Sequence, residues 1–270
     1  MPWDWHKPLF EHAREIDITI FSSPFDESAV DLLEDLNVPA YKIASFETVD
    51  LRLIDYVART GKPMIISTGM ASEDEIREAV DTARAGGCSE LALLTCVSSY
   101  PAMPSDYNLS RIVDMRERFQ TVVGLSDHTL DNTCAIASIT LGGCIIEKHF
   151  TLDRKGGGAD DSFSLEPNDM KNLCESSLAA WQSIGSPEYG TKSTEKNNAQ
   201  YRRSLYFVKS LKKGDVIKID DIRSVRPGFG LPTKMFDSVV GSEVNCNVSY
   251  GDPVKFCLLY TSPSPRDLYR

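Results

Sequence analysis

The sequence predicts an α/β chain: a (β/α)8-type barrel short of two strands over residues 1–184, then a small β-rich unit over residues 201–259. Three observations carry this expectation. Short apolar runs alternate with amphipathic helical stretches from residue 17 to about residue 150. Polar side chains able to do chemistry stand at the C-terminal end of nearly every such run. Beyond residue 184 a polar stretch leads into a different pattern, with β-type runs and turn pairs but no helical period.

The strand candidates are Ile18–Ser22, Ala40–Ser45, Pro63–Ser67, Leu91–Cys96, Thr121–Leu125 and Cys144–His149. Each is short and apolar, as parallel strands buried on both faces read. Their starts recur every 20 to 30 residues or so, the period of a repeated βα unit. Ser72-x-x-Glu75 is a capping box, after which Ile76, Ala79, Val80 and Ala83 share one helical face. Gly86 and Gly87 close that helix, where a left-handed residue is called for. A further helix, about Pro167 to Ile184, follows the last strand. Six βα units fit a doubly wound sheet or an incomplete barrel. In a doubly wound sheet the site gathers at one switch point. Here polar groups follow almost all strands: Ser23, Lys42 with Ser45, Ser67 with Thr68, Ser98, Ser126 with His128, and His149. A ring of strand-end groups is the mouth of a barrel.

Residues 185–200 (GSPEYGTKSTEKNNAQ) lack an apolar face and read as a linker. The unit after it has β-type runs at Ser204–Val208 and Val216–Ile219 and turn pairs Lys213-Gly214 and Tyr250-Gly251. Residues 260–270 (YTSPSPRDLYR) carry no pattern and are expected to be foreign, non-native sequence.

With 41% hydrophobic and 25% charged residues, the 270-residue chain has the composition of a globular protein with a sizeable core. Its net charge of −10 argues against a nucleic-acid backbone as partner. A small anionic substrate, needing only local positive groups, remains compatible. Seven cysteines without C-x-x-C spacing point to reduced thiols and a cytoplasmic location. No apolar run approaches the roughly 20 residues of a membrane span, so no membrane partner is expected.

His128 and His149, two of four histidines, end two strand candidates. A lone strand-end histidine is commonly just hydrogen-bonded, but a pair in equivalent positions can hold a divalent transition metal with coordination sites left open. Lys42 lies in the apolar run AYKIAS and needs an anionic partner. Both a Schiff-base role and simple phosphate binding are open to it. Ser45, Ser67 and Ser126 could complete an anion site. Glu47 and Asp160 are candidate acid/base or sugar-hydroxyl groups. The run Gly156–Gly158 is too short for a nucleotide fingerprint and reads as a mobile loop.

The segments FSSPFD (21–26), AYKIASFE (40–47), ISTGM (66–70), VVGLSDHT (122–129), EKHFTLDR (147–154) and DDSFSLEP (160–167) resemble the N-acetylneuraminate synthase family. RRSLYFVKSLKKGDVI and VRPGFG resemble its antifreeze-like SAF domain, so the likeness runs from Pro2 to about Leu259. Within the family, the loop into DDSFSLEP looks like that of pseudaminic acid synthases, where neuraminate synthases tend to carry a PGPDH-type loop. The resemblance implies a metal-dependent condensation of phosphoenolpyruvate with an N-acetylated amino sugar. The metal, commonly manganese with magnesium or cobalt as alternatives, would be held by His128 and His149. Lys42, Ser45, Ser67 and Ser126 match phosphoenolpyruvate contacts, with Ser23 where a threonine is frequent. Glu47 and Asp160 match positions that contact the acceptor sugar, and Tyr100 matches a site tyrosine that binds substrate. Ser98 stands where some members have asparagine, which weakens the carry-over there. Arg226 matches a SAF-domain arginine that reaches the barrel of the other subunit, so a domain-swapped homodimer is implied. The family begins with two further βα units, and the start of this chain matches the helix before the third strand. An N-terminal truncation is therefore the expectation. The competing expectations are an N-acetylneuraminate or legionaminic acid synthase, a catalytically inactive fragment that still binds sugar or dimerises, and a generic Schiff-base aldolase.

Overall fold

The structure is a computed structural model and describes residues 2–260; apart from Tyr260, the stretch expected to be foreign lies outside the described residues. The chain divides into two compact units, Met1–Ser186 and Pro187–Arg270.

The first unit holds helices α1 (His6–Glu15) and α2 (Glu27–Asp35), then strand β1 (Tyr41–Ile43), α3 (Leu51–Ala58), β2 (Met64–Ser67), α4 (Glu73–Ala85), β3 (Leu91–Cys96), α5 (Arg111–Phe119), β4 (Val122–Asp127), α6 (Thr133–Thr140), β5 (Ile145–Lys148) and α7 (Pro167–Ile184). The five strands are all parallel, in the order β1-β2-β3-β4-β5. Sequential order without reversal is the arc of a barrel; a doubly wound sheet would change direction at a switch point. Strand β3 is buried along its whole length, which is why its run of LALLTC shows no alternation. The main core lies between the sheet and its helices and includes Val30, Tyr41, Ile54, Met64, Ile66, Ala79, Leu93 and Ile112.

Helix α4 starts as the sequence indicates: the Ser72 hydroxyl accepts from the Glu75 amide, and the Glu75 carboxylate accepts from the Ser72 amide at 2.7 Å. Its end needs a correction. Gly86 stays right-handed, and Gly87, with φ of 106°, is the left-handed residue. Helix α7 has the predicted bounds. Ile18–Ser22 does not form a strand: it contributes one parallel bridge, Ser22 to Tyr41, with the Lys42 amide donating to the Ser22 carbonyl at 3.3 Å. This run sits at the sheet edge with a neighbour on one side only, and Ile18 and Phe21 are exposed, so half the burial expected of an inner strand is missing.

The second unit contains β6 (Ser204–Phe207) antiparallel to β7 (Ile222–Val225), and a short helix α8 (Phe236–Val239). Its own core gathers Leu205, Phe207, Ile217, Ile222, Val244, Val248 and Val254. Gly214 and Gly251, at φ of 88° and 92°, make the two expected turns. The run Val216–Ile219 makes only a bridge from Val216 to Glu243, and the strand comes later, at β7. Asp221 is the reason: its carboxylate accepts from the Lys218 amide at 2.8 Å and its own amide donates to the Lys218 carbonyl at 3.0 Å, turning the chain. The stretch read as a featureless linker also contains a 3₁₀ helix, Ser193–Tyr201.

Candidate active site

The ends of β1 to β5 converge on a cavity of about 300 Å³ in the first unit. Strand alternation decides what faces it. Ser126 and His128 leave β4 on one face, and Glu147 and His149 leave β5 on the same face, two residues apart in each case. Ser126 stands opposite Glu147 in the ladder and donates to its carboxylate at 2.7 Å. Lys42, from β1, is almost wholly buried and its ammonium lies 3.6 Å from the other Glu147 oxygen. That carboxylate is the anionic partner a buried lysine requires.

Around Lys42 the serines form a cradle. Ser45 and Ser67 line the cavity, and the Ser45 hydroxyl meets the Cys96 sulfur at 3.3 Å. The hydroxyls of Ser67 and Ser98 are buried without any hydrogen-bond partner. Buried polar groups left unpaired are rare and mark a place prepared for something else. Gly69 makes the cradle possible, because a Cβ on it would lie 2.5 Å from the Ser45 Cβ and 2.6 Å from the Ser98 hydroxyl oxygen.

On the other side of the cavity the rings gather. His128 and His149 have centroids 5.3 Å apart, and Tyr100 packs 4.2 Å from His128 and 5.6 Å from His149. Phe163, from the loop before α7, closes against His149 at 5.1 Å. The Nδ1 of His128 lies 2.7 Å from the Val97 carbonyl. A carbonyl only accepts, so Nδ1 carries the proton and Nε2 keeps its lone pair. Burial lowers the His128 pKa below its ordinary value of 6.5, which keeps the ring neutral and able to ligate. The Asp160 carboxylate stands 3.4 Å from Nδ1 of His149 and orients that ring in the same way. Two imidazoles with outer partners fit a divalent metal whose remaining positions go to substrate and water. Among the described residues, no group of three or more His, Cys, Asp or Glu side chains forms a closed metal site.

The structure thus brings Ser23, Lys42, Ser45, Ser67, Tyr100, Ser126, His128 and His149 to one cavity. Asp160 reaches it only through His149, and its side chain is largely exposed. Glu47 lies in the 3₁₀ turn Ser45–Glu47, off the cavity wall, with one carboxylate oxygen buried and unpartnered. Ser98 sits behind Gly69 and does not line the cavity. Arg226 is an exposed residue of the second unit, at the end of β7. Glu147 was missed from sequence, although its position two residues before His149 on the same strand would have found it. In the glycine run 156–158, the Gly158 amide donates to the Asp161 carboxylate at 2.7 Å.

A parallel arc of βα units gathers a lysine, hydroxyls and an imidazole pair at its strand ends, and the chain belongs to the NeuB family, whose profile matches residues 1–189. An SAF-domain profile matches residues 202–256. Among curated relatives, the pseudaminic acid synthase of Helicobacter pylori is 41% identical over 90% of this chain and 72% of its own length. The N,N'-diacetyllegionaminic acid synthase of Legionella pneumophila is 37% identical over 91% of this chain and 70% of its own. Among solved structures, N-acetylneuraminic acid synthetase from Leptospira borgpetersenii superposes with a TM-score of 0.69 at 30% identity, covering 73% of this chain and 69% of that one. No helix among the described residues is long and apolar enough to cross a membrane.

Proposed function

We propose that this chain condenses phosphoenolpyruvate with a 2,4-diacetamido-2,4,6-trideoxy hexose to give pseudaminic acid, releasing phosphate. The observation that carries the reading is the unpartnered Ser67 hydroxyl in the same cavity as buried Lys42 and Ser45, a cradle for a multiply charged anion. The choice of acceptor rests on the relatives: pseudaminic acid synthases match at 35% to 41% identity.

In this reading Lys42, Ser45 and Ser67 hold the phosphate and carboxylate of phosphoenolpyruvate, and Lys42 forms no Schiff base. C3 of phosphoenolpyruvate bonds to the aldehyde carbon of the open-chain sugar as the C=O π pair moves to the aldehyde oxygen. Water then adds at C2, and one of its protons passes by way of Glu147 to that oxygen to give the new hydroxyl. The C2–O bond to phosphate breaks as the C2 hydroxyl gives its proton to the departing phosphate and becomes the ketone. His128 and His149 would hold the divalent metal, manganese or else magnesium or cobalt, which when bound polarises the aldehyde oxygen as a Lewis acid. Asp160 keeps His149 in its ligating tautomer, and Tyr100 walls the aldehyde side against water. Glu47 belongs to the sugar end.

We further assign Arg226 to the site of a second copy, in a domain-swapped homodimer. The supporting observation is charge: the first unit carries a net charge of −15 and the second +5. Opposite charge on the two surfaces favours their pairing.

The test is phosphate release with manganese, phosphoenolpyruvate and the 2,4-diacetamido-2,4,6-trideoxy-altrose acceptor, with N-acetylmannosamine alongside and a chelator-treated control. Release with the first sugar alone, abolished by the chelator, is expected. Release with N-acetylmannosamine alone, or undiminished release without metal, refutes the reading.

A further inference from the structure

We infer that Asp127 and Lys148 are positioning residues, a buried ion pair that sets the spacing of the two imidazoles; this rests on the proposed metal role of His128 and His149. The two residues are ladder partners on β4 and β5, one position before each histidine. Alternation turns them to the face opposite Ser126, Glu147 and the histidines. Their charges lie 3.0 Å apart and their side chains are almost completely buried, at 0% exposure for Asp127 and 2% for Lys148.

Lys148 is held from both sides. Beyond its ion-pair contact with Asp127 Oδ2, its ammonium donates to the Thr129 carbonyl at 2.6 Å and to the Asp131 carbonyl at 2.9 Å. Asp127 in turn accepts from the Thr129 amide at 2.9 Å. The pair therefore ties the loop leaving His128 to the strand that carries His149. A second clamp works on the same imidazole: the buried Tyr107 hydroxyl accepts from the His128 amide at 2.6 Å. Lys148 is among the residues lining the cavity, but its ammonium is held by Asp127 and the 129–131 carbonyls. A desolvated pair is a weak source of stability but a strict one of geometry. What it fixes here is the distance between two strand ends, each holding one imidazole.

The experiment uses this chain freed of metal and manganese alone as the probe, with free manganese read by electron paramagnetic resonance. The variants are Asp127→Asn, which keeps the shape, and the double variant Asp127→Asn with Lys148→Gln, which leaves no lone buried charge. Inorganic phosphate affinity, measured calorimetrically, reports the Lys42 end of the same cavity. Loss of manganese affinity by roughly 10- to 100-fold is expected in both variants, the range for outer partners of metal ligands, with phosphate affinity unchanged. If the double variant binds manganese as the unaltered protein does, the positioning role is overturned while the metal reading stands. Parallel loss of phosphate binding would also overturn it, because the pair would then support the fold at large. If the unaltered protein binds no manganese, the metal reading itself fails and takes this inference with it.

Discussion

Replacing Gly69 with alanine would dismantle the anion cradle without straining the backbone. Gly69 is not in the left-handed region, so alanine is conformationally acceptable there. Its methyl group is not, standing 2.5 Å from the Ser45 Cβ and 2.6 Å and 2.7 Å from the Ser98 and Ser45 hydroxyl oxygens, where ordinary contact begins at 3.4 Å. Relief needs a displacement of about 1 Å, shared between the 69–70 turn and the two serines. Overpacking of that size costs about 1–3 kcal/mol of stability. The functional loss is separable. A hydroxyl donating to a charged oxygen contributes about 1.5–3 kcal/mol, so withdrawing one weakens phosphoenolpyruvate binding by at least about tenfold. The assay pairs thermal unfolding with the KM for phosphoenolpyruvate, with Ser45→Ala as comparator because it removes a cavity-lining hydroxyl without adding bulk. KM should rise in Gly69→Ala while the apparent affinity for the sugar stays put. A folded Gly69→Ala protein whose KM for phosphoenolpyruvate is within about twofold of the original would refute the reasoning, since a change that small is under half a kcal/mol.

Two further outcomes are expected. Ser72→Ala removes the hydroxyl half of the capping box on α4 and should lower stability by about 1 kcal/mol in urea unfolding, with no change in phosphate binding; a loss below a few tenths would show the Glu75 half to be sufficient. Asp161 is held below its ordinary pKa of 3.8 by the Thr151 hydroxyl and then the Gly158 amide. Because the folded-state value is depressed, these bonds contribute fully above pH 3.8 and are lost as pH falls through the lowered value. The Gly158 amide proton should follow that transition by nuclear magnetic resonance, and a midpoint at or above 3.8 would show that the loop is not anchored by this carboxylate.

The inner strands were legible because parallel strands covered on both faces are uniformly apolar, and Leu91–Cys96 is such a run. Ile18–Ser22 looks equally apolar, yet sequence cannot say that a run has a neighbour on one side only. Val216–Ile219 failed for a local reason: the turn made by Asp221 competes with strand pairing. In the site, Lys42, His128 and His149 announced themselves by residue type at strand ends. Glu147 did not, since a glutamate inside a strand reads as a solvated edge residue until its partners, Ser126 and Lys42, are brought to it by the ladder. Glu47 and Asp160 were legible only as carboxylates near motifs, and their distance from the cavity wall depends on loop paths that no periodicity encodes.

The two-residue rhythm of Ser126-Asp127-His128 against Glu147-Lys148-His149 makes the site its own check on assembly. A slide of β4 past β5 by one residue would swap the faces of one strand, putting an unpaired aspartate or lysine among the serines and turning a histidine into the helix layer. A slide by two would restore the faces but set the two rings at different heights. The chemistry proposed for the site needs the strands to have met correctly, so with the proposed metal role of the two rings, metal uptake by a refolding chain would time the moment at which this part of the sheet becomes native.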